Sequence, residues 1–220
     1  MLKQIFDNLD KQCGKHSHYF DVYEKHFERF IGKKPVVVEV GICYGGSAEM
    51  WQKYFGEGAT IIGIDVDPNS FTPACQTEGC IQVRGDQSDP AFWEEFLKQY
   101  PEIDIFIDDG GHHQFQQIQT LNSVWNNINL GGVYLCEDTH TSYWAEYSGG
   151  LRRPNTFTEY SKQIIDTLNV QWWKDMDRRP DNMLFADHFK NLSGMHFYDS
   201  IVVLDKDTRT ESKLLTSLPI

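Results

Sequence analysis

Apolar residues fall along the chain in short runs separated by amphipathic stretches. The runs are Val36-Val37-Val38-Glu39-Val40, Thr60 to Asp65, Ile81-Gln82-Val83, Ile103 to Asp109 and Val133-Tyr134-Leu135-Cys136. They are short and rich in β-branched or aromatic residues, the mark of strands covered on both faces in a parallel sheet. Between them, Ala48 to Phe55, then Phe92, Trp93, Phe96, Leu97 and Tyr100, then Ile118, Leu121, Val124 and Trp125 trace helical faces. Ser47 is the expected cap of the first helix, and Pro90 suits the first position of the second. The alternation predicts an α/β fold with a single doubly wound, mostly parallel sheet. Tyr160 to Val170 adds a helix, and Met195 to Tyr198 with Ser200 to Leu204 predict an antiparallel hairpin at the sheet edge. The stretch 171–192 is aromatic and polar without a period, and predicts no element.

Ahead of the first strand, Ile5, Leu9, Tyr19, Phe20, Tyr23, Phe27 and Phe30 recur at helical spacing, broken by the polar stretch Lys15-His16-Ser17-His18-Tyr19. The expected division is an N-terminal helical cap over 1–34 and a sheet domain over 35–220. The polar break is either a surface linker or the tip of a lid that faces a ligand.

Ligands of such sheets bind outside the carboxyl ends of the strands, at the point where the strand order reverses. The residues that fit poorly elsewhere all fall on that edge. They are the turn Gly41-Ile42-Cys43-Tyr44-Gly45-Gly46-Ser47, Asp65, Asp86-Gln87, the run Asp108-Asp109-Gly110-Gly111-His112-His113, and Glu137-Asp138. Cys43 stands where a dinucleotide fingerprint needs its second glycine, so the turn suits a cofactor without a pyrophosphate. Asp65, ~20 residues on, is placed for ribose hydroxyls; its plainer role is to cap the turn Val66 to Asn69. Asp86 and Gln87 are placed to read an adenine edge. Glu39 inside a valine run needs a cation or donors, either Lys33 or Lys34 or a ligand's ammonium or sulfonium group.

Acids at adjacent strand tips, ~4.8 Å apart, can share a hard cation bound through oxygen at roughly 2.0–2.6 Å. Without one they raise one another's pKa. All-oxygen ligation favours Mg²⁺, Mn²⁺ or Ca²⁺ over zinc. A histidine beside such a cluster can serve as general base. His112 is preferred, with His113 pointing into the fold or supporting a ligand. The loop from Thr139 to Asn155 offers Tyr143, Trp144 and Arg152 as acceptor contacts, or as packing residues.

Composition narrows the functions further. The 220 residues suit one domain, and a net charge of −12 opposes nucleic-acid and anionic-membrane partners. No run approaches the ~20 apolar residues of a membrane span, and the first residues lack the apolar core of a signal peptide. The five cysteines are read as reduced thiols, implying a cytoplasmic protein.

VEVGICYGGS, GIDVDP, GDQSD, IDDGGHH, GGVYLCEDTHTSYW and HFYDSIVVLDK, in this order from about Val36 to Lys206, resemble the metal-dependent sugar O-methyltransferases of macrolide biosynthesis, typified by the macrocin and mycinamicin enzymes. The resemblance implies a class I methyltransferase fold, S-adenosylmethionine as methyl donor and Mg²⁺ as metal. It matches Asp109, Glu137 and Asp138 to the metal ligands and His112 to the base. Glu39 and Gly41 match residues near the methionine part of the cofactor, with Gly45 and Ser47 in the same turn. Asp65 matches the ribose contact, Asp86 and Gln87 the adenine side, and Asp108 is also counted with the cofactor. The acceptor implied is a hydroxyl of a sugar or glycoside, activated by the metal and by His112; self-association into a homo-oligomer is left open. Rival readings are a phenol or catechol acceptor, a nicotinamide-dependent oxidoreductase, and a non-catalytic cofactor-binding or assembly subunit.

Overall fold

The computed structural model describes residues 1–173, 183–210, 212–215 and 217. The parallel strands follow the apolar runs: β1 (Val36–Val40), β2 (Thr60–Asp65), β3 (Cys80–Arg84), β4 (Ile103–Asp108) and β5 (Ile128–Cys136). Two further strands, β6 (Leu192–Tyr198) and β7 (Ile201–Lys206), form the C-terminal hairpin. The helices are α1 (Leu2–Phe6), α2 (Tyr19–Phe27), α3 (Gly46–Phe55), α4 (Pro90–Gln99), α5 (Gln114–Val124), α6 (Phe157–Leu168) and α7 (Met183–His188). Strand order in the sheet is β3-β2-β1-β4-β5-β7-β6. β1 to β5 run parallel, β7 is antiparallel to β5, and β6 is antiparallel to β7. Order reverses between β1 and β4, so the crevice between their carboxyl ends is where a ligand is expected.

Alternation along each strand divides the core into two layers. Val37, Ile61, Ile105, Ile107, Val133, Leu135 and Val203 face α1, α2 and α3, against Leu2, Tyr23, Phe27, Trp51 and Phe55. Val38, Ile62, Phe106, Tyr134 and Leu204 face the other way, against Trp93, Phe96, Leu121 and Phe157 of α4, α5 and α6. The N-terminal helices therefore contribute buried side chains to the first layer as well as lying at the ligand edge. Glu39, two residues after Val37, falls on that same face and is fully buried.

The hairpin exists, but only β6 is an edge. β7 lies between β5 and β6, and its Ile201, Val202, Val203 and Leu204 are all buried. The helix cap also differs from expectation. α3 starts at Gly46 with Gly45 as cap at φ +81°, and Ser47 is already in the first turn. A left-handed cap favours glycine over serine. Asp89 does cap α4, accepting from the Ala91 amide, with Pro90 first in the helix. Within 171–192 the structure shows a 3-10 turn (Val170–Trp172) and α7; residues 174–182 lie outside the described residues. All five cysteines are free thiols. Among the described residues no helix is long and apolar enough to cross a membrane.

Candidate active site

Backbone hydrogen bonds extend the parallel ladder one step past the strands and align the three central tips. The Gly41 amide donates to Ile64, the Asp109 amide to Val40 at 3.0 Å, and the Glu137 amide to Asp108 at 2.9 Å. Gly41 and Asp109 meet so closely that a Cβ on Gly41 would stand 1.9 Å from the Asp109 carbonyl oxygen, at a φ of +93°. Glycine is required there by the neighbouring backbone. Gly41→Ala should destabilise by at least ~1–2 kcal/mol from backbone strain alone, read as a lower urea midpoint at unchanged slope.

The pleat sends successive acids to opposite sides. Asp108 turns away from the crevice, fully buried, and accepts from Gln87 Nε2 at 3.0 Å and from the Tyr134 hydroxyl at 3.1 Å. Burial raises its pKa. Gln87 is itself a tie between loops, since its Oε1 also accepts from the Gly111 amide at 2.7 Å. Asp109 and Glu137 turn toward the N-terminal segment and meet Lys15. Its ammonium lies 2.6 Å from Asp109 Oδ2, 2.9 and 3.0 Å from the two Glu137 oxygens, and 3.4 Å from Glu39 Oε1. The Lys15 side chain is 1% exposed. Burial alone would lower its pKa, but Asp109 and Glu137 outweigh burial and hold it well above the usual lysine value. Burial pushes the Asp109, Glu137 and Glu39 carboxyls up, and Lys15 opposes that rise in each. Glu39 Oε2 is buried without a hydrogen-bond partner among the described residues.

A second group overlaps the first. Asp138, in a left-handed conformation at φ +52°, accepts from the Tyr19 hydroxyl at 2.6 Å, and its other oxygen is 3.4 Å from His112 Nε2. His112 Nε2 is also 3.9 Å from Asp109 Oδ1. The three expected metal ligands are thus divided. Asp109 is shared, Asp138 groups with His112, and Glu137 groups with Glu39 around Lys15. All three carboxylates line one pocket of about 300 Å³. Their oxygens are the donor type a Mg²⁺ ion takes, so the residues fit that ion.

On the other side of Asp109, Asp138 and His112 a larger cavity of about 550 Å³ runs along the strand tips to Gly41, Ser47, Asp65, Asp86 and Gln87. Asp65 holds the adjoining turns, accepting from the Cys43 amide at 2.8 Å and the Asp67 amide at 2.9 Å. Asp86 accepts from the Ser88 amide and hydroxyl. The cavity thus brings Gly41, Ser47, Asp65, Asp86 and Gln87 together; Glu39, Gly45 and Asp108, also expected at the cofactor, do not line it. Gly45 instead packs beneath the carbonyl of Cys75, 2.1 Å from where its Cβ would be. Of the expected acceptor contacts, Tyr143 lines a third pocket of about 520 Å³ with His140, Phe197 and Tyr198. Trp144 packs on His140, ring centroids 4.5 Å apart. Arg152 stands on an exposed turn and lines none of these three pockets. The stretch Lys15 to Tyr19, open in the sequence between a surface linker and a lid facing a ligand, thus brings the Lys15 ammonium and the Tyr19 hydroxyl onto the acids.

The fold is that of the class I methyltransferases: the chain superposes on MycE, a methyltransferase of mycinamycin biosynthesis solved with Mg and SAH, with a TM-score of 0.83 at 24% identity, covering 99% of this chain and 57% of that one. By sequence the chain is a relative of the sugar O-methyltransferases. It is 30% identical over 198 residues to the 8-demethyl-8-alpha-L-rhamnosyl tetracenomycin-C 2'-O-methyltransferase of Streptomyces olivaceus, covering 86% of this chain and 50% of that one. It is 28% identical over 214 residues to the demethylmacrocin O-methyltransferase of Streptomyces fradiae, covering 92% and 52%. The chain spans about half the length of the curated relatives it matches. No protein-family model matches it.

Proposed function

We propose that the chain is an S-adenosylmethionine- and Mg²⁺-dependent O-methyltransferase acting on a hydroxyl of a sugar or glycosylated natural product. The observation that carries the reading is the continuous cavity from Asp65 to Asp109, His112 and Asp138, ending on an oxygen-rich acid cluster. In this reading Asp109, Glu137 and Asp138 hold the cation. Glu39, Gly41 and Ser47 flank the methionine part of the cofactor, Asp65 the ribose, and Asp86 and Gln87 the adenine, while Gly45 and Asp108 support these contacts from behind. Residues 1–34 act as the cap, delivering Lys15 and Tyr19 to the acids.

A bound divalent cation supplies charge stabilisation for a developing alkoxide and fixes the acceptor's orientation. The chain's own residues do the rest. His112 Nε2 takes the acceptor proton, and Asp138, 3.4 Å away, steadies the resulting imidazolium. Tyr143 and Trp144 form the wall that the acceptor enters along. The Lys15 ammonium offsets the buried negative charge on Glu39 and Glu137.

Calorimetric titration with S-adenosylmethionine, with NAD⁺ as comparison ligand, tests the donor assignment. Micromolar binding of S-adenosylmethionine and none of NAD⁺ is expected. NAD⁺ binding alone would assign the cavity to a dehydrogenase and end the methyltransferase reading.

A further inference from the structure

The far end of α2 carries a second cluster of ligand-type side chains, remote from the acid site. Tyr19 at the start of the helix reaches Asp138, whereas His26, near its end, lies against the β6–β7 hairpin, 3% exposed. His26 Nε2 is 2.9 Å from the Tyr198 hydroxyl, and its Nδ1 faces Asp205 Oδ2 at 4.0 Å. His196 approaches the same oxygen from β6, with Nε2 at 2.9 Å. The two imidazole rings stand 4.7 Å apart between centroids. Asp205 pairs with Val133 of β5, four residues before Glu137, which sets the cluster back along the strand from the acid site.

Hydrogen bonds alone leave this arrangement half satisfied, because only one of the two imidazoles is within bonding reach of the carboxylate oxygen. The other atoms of two of these side chains are already held: Tyr198 takes His26 Nε2, and Arg29 donates to Asp205 Oδ1 at 3.0 Å. One atom each from His26, His196 and Asp205 therefore converges, all within 4.8 Å of one another. Outer partners that orient a ligand through its second atom are the usual company of a metal site. Tetrahedral ligands at ~2.0–2.2 Å from zinc lie ~3.3–3.6 Å from each other, and the two separations to Asp205 Oδ2, 2.9 and 4.0 Å, straddle that value. The approach is open. Gly194 has no side chain, and a Cβ there would stand 3.5 Å from His196 Nε2 and 3.6 Å from Asp205 Oδ2. A cavity of about 670 Å³ reaches His196 and Asp205 from solvent.

We propose that His26, His196 and Asp205 bind a divalent first-row transition-metal ion, zinc by preference, with solvent in the fourth position, tying α2 to the β6–β7 hairpin. Two imidazoles and one carboxylate suit zinc, whereas the all-carboxylate site at the other end suits magnesium. The two ions are thereby sorted by ligand chemistry. Zinc fixes the helix whose first residue closes over Asp138.

The test uses the full chain after chelator treatment, titrated with Zn²⁺ by calorimetry and with Co²⁺ by visible d–d absorption, which reports four-coordination. One equivalent should bind in the wild type and also in Asp138→Asn, which alters only the acid site. His196→Ala, at a position 38% exposed, should weaken binding by more than the ~100-fold that orienting partners alone command, and should abolish the Zn²⁺-induced rise in Tm. Asp205→Asn, which keeps the side-chain shape, should do the same if His196→Ala fails to fold. Excess Mg²⁺ should not compete. The proposal is overturned if the wild type takes up no Zn²⁺, or if Asp138→Asn removes the binding while His196→Ala and Asp205→Asn retain it.

Discussion

Replacing Lys15 with methionine should cost ~3–5 kcal/mol of stability in metal-free buffer, the usual penalty for removing one partner of a buried ion cluster. For a chain of this size that is a fall in Tm of roughly 10 °C. Methionine fills similar volume, so the loss measures charge rather than packing. Lys15 is the cation that Asp109, Glu137 and Glu39 share, and without it two buried carboxylates and the partly buried Asp109 face one another. The deficit should also depend on pH with a defined sign. A carboxyl whose folded pKa lies above its unfolded value binds more protons folded than unfolded, so stability falls as pH rises through that window. Burial already pushes Asp109 and Glu137 up, and loss of Lys15 removes the group opposing that rise. The gap between variant and wild type should widen from about pH 5 upward and close toward acid, as thermal melts across pH would show. A variant as stable as the wild type at pH 8 would mean that Lys15 is not the cluster's counter-charge.

Lys15 also shows where legibility in the sequence ended. The strands were readable because parallel strands are apolar on both faces, so Val36–Val40 and Ile103–Asp108 stand out without any partner being known. From that, the fold class, the switch point and the edge carrying the acids all follow. Which side chains meet across that edge does not follow, because it depends on tertiary distance. Lys15 and Glu137 are 122 residues apart in the chain, and Tyr19 and Asp138 are 119 apart; no local period encodes either pairing. The pleat also separates what the sequence puts side by side. Asp108 and Asp109 are neighbours, yet one is tied behind the sheet by Gln87 and Tyr134 while the other faces the crevice. Gly41, matched by resemblance to the methionine part of the cofactor, must be glycine also because the Asp109 carbonyl leaves no space for a Cβ. The central place of β7 was hidden for a related reason, since a fully apolar strand beside a hairpin turn reads the same at an edge as inside.

Loss of the His112 imidazole should lower turnover ~10²- to 10⁴-fold, the range of a general-base contribution, with S-adenosylmethionine binding retained. Asparagine is a better replacement than alanine. His112 sits at φ +56°, a left-handed conformation that asparagine tolerates and alanine resists, so His112→Asn removes the base while keeping the backbone. The Thr141 hydroxyl donates to the His112 carbonyl at 3.0 Å, and that tie survives the change. His113 provides the comparison. It caps α5, its amide donates to Gln116 Oε1 at 3.3 Å, and its ring packs 5.2 Å from that of Tyr147. His113→Ala should therefore lower Tm more than kcat, and His112→Asn should lower kcat at nearly unchanged Tm. Steady-state kinetics with thermal melts on both variants separate a lost base from a loosened loop. The opposite pattern, with turnover surviving in His112→Asn and collapsing in His113→Ala, would move the proton acceptor to the neighbouring residue and leave Asp138 without the partner assigned to it.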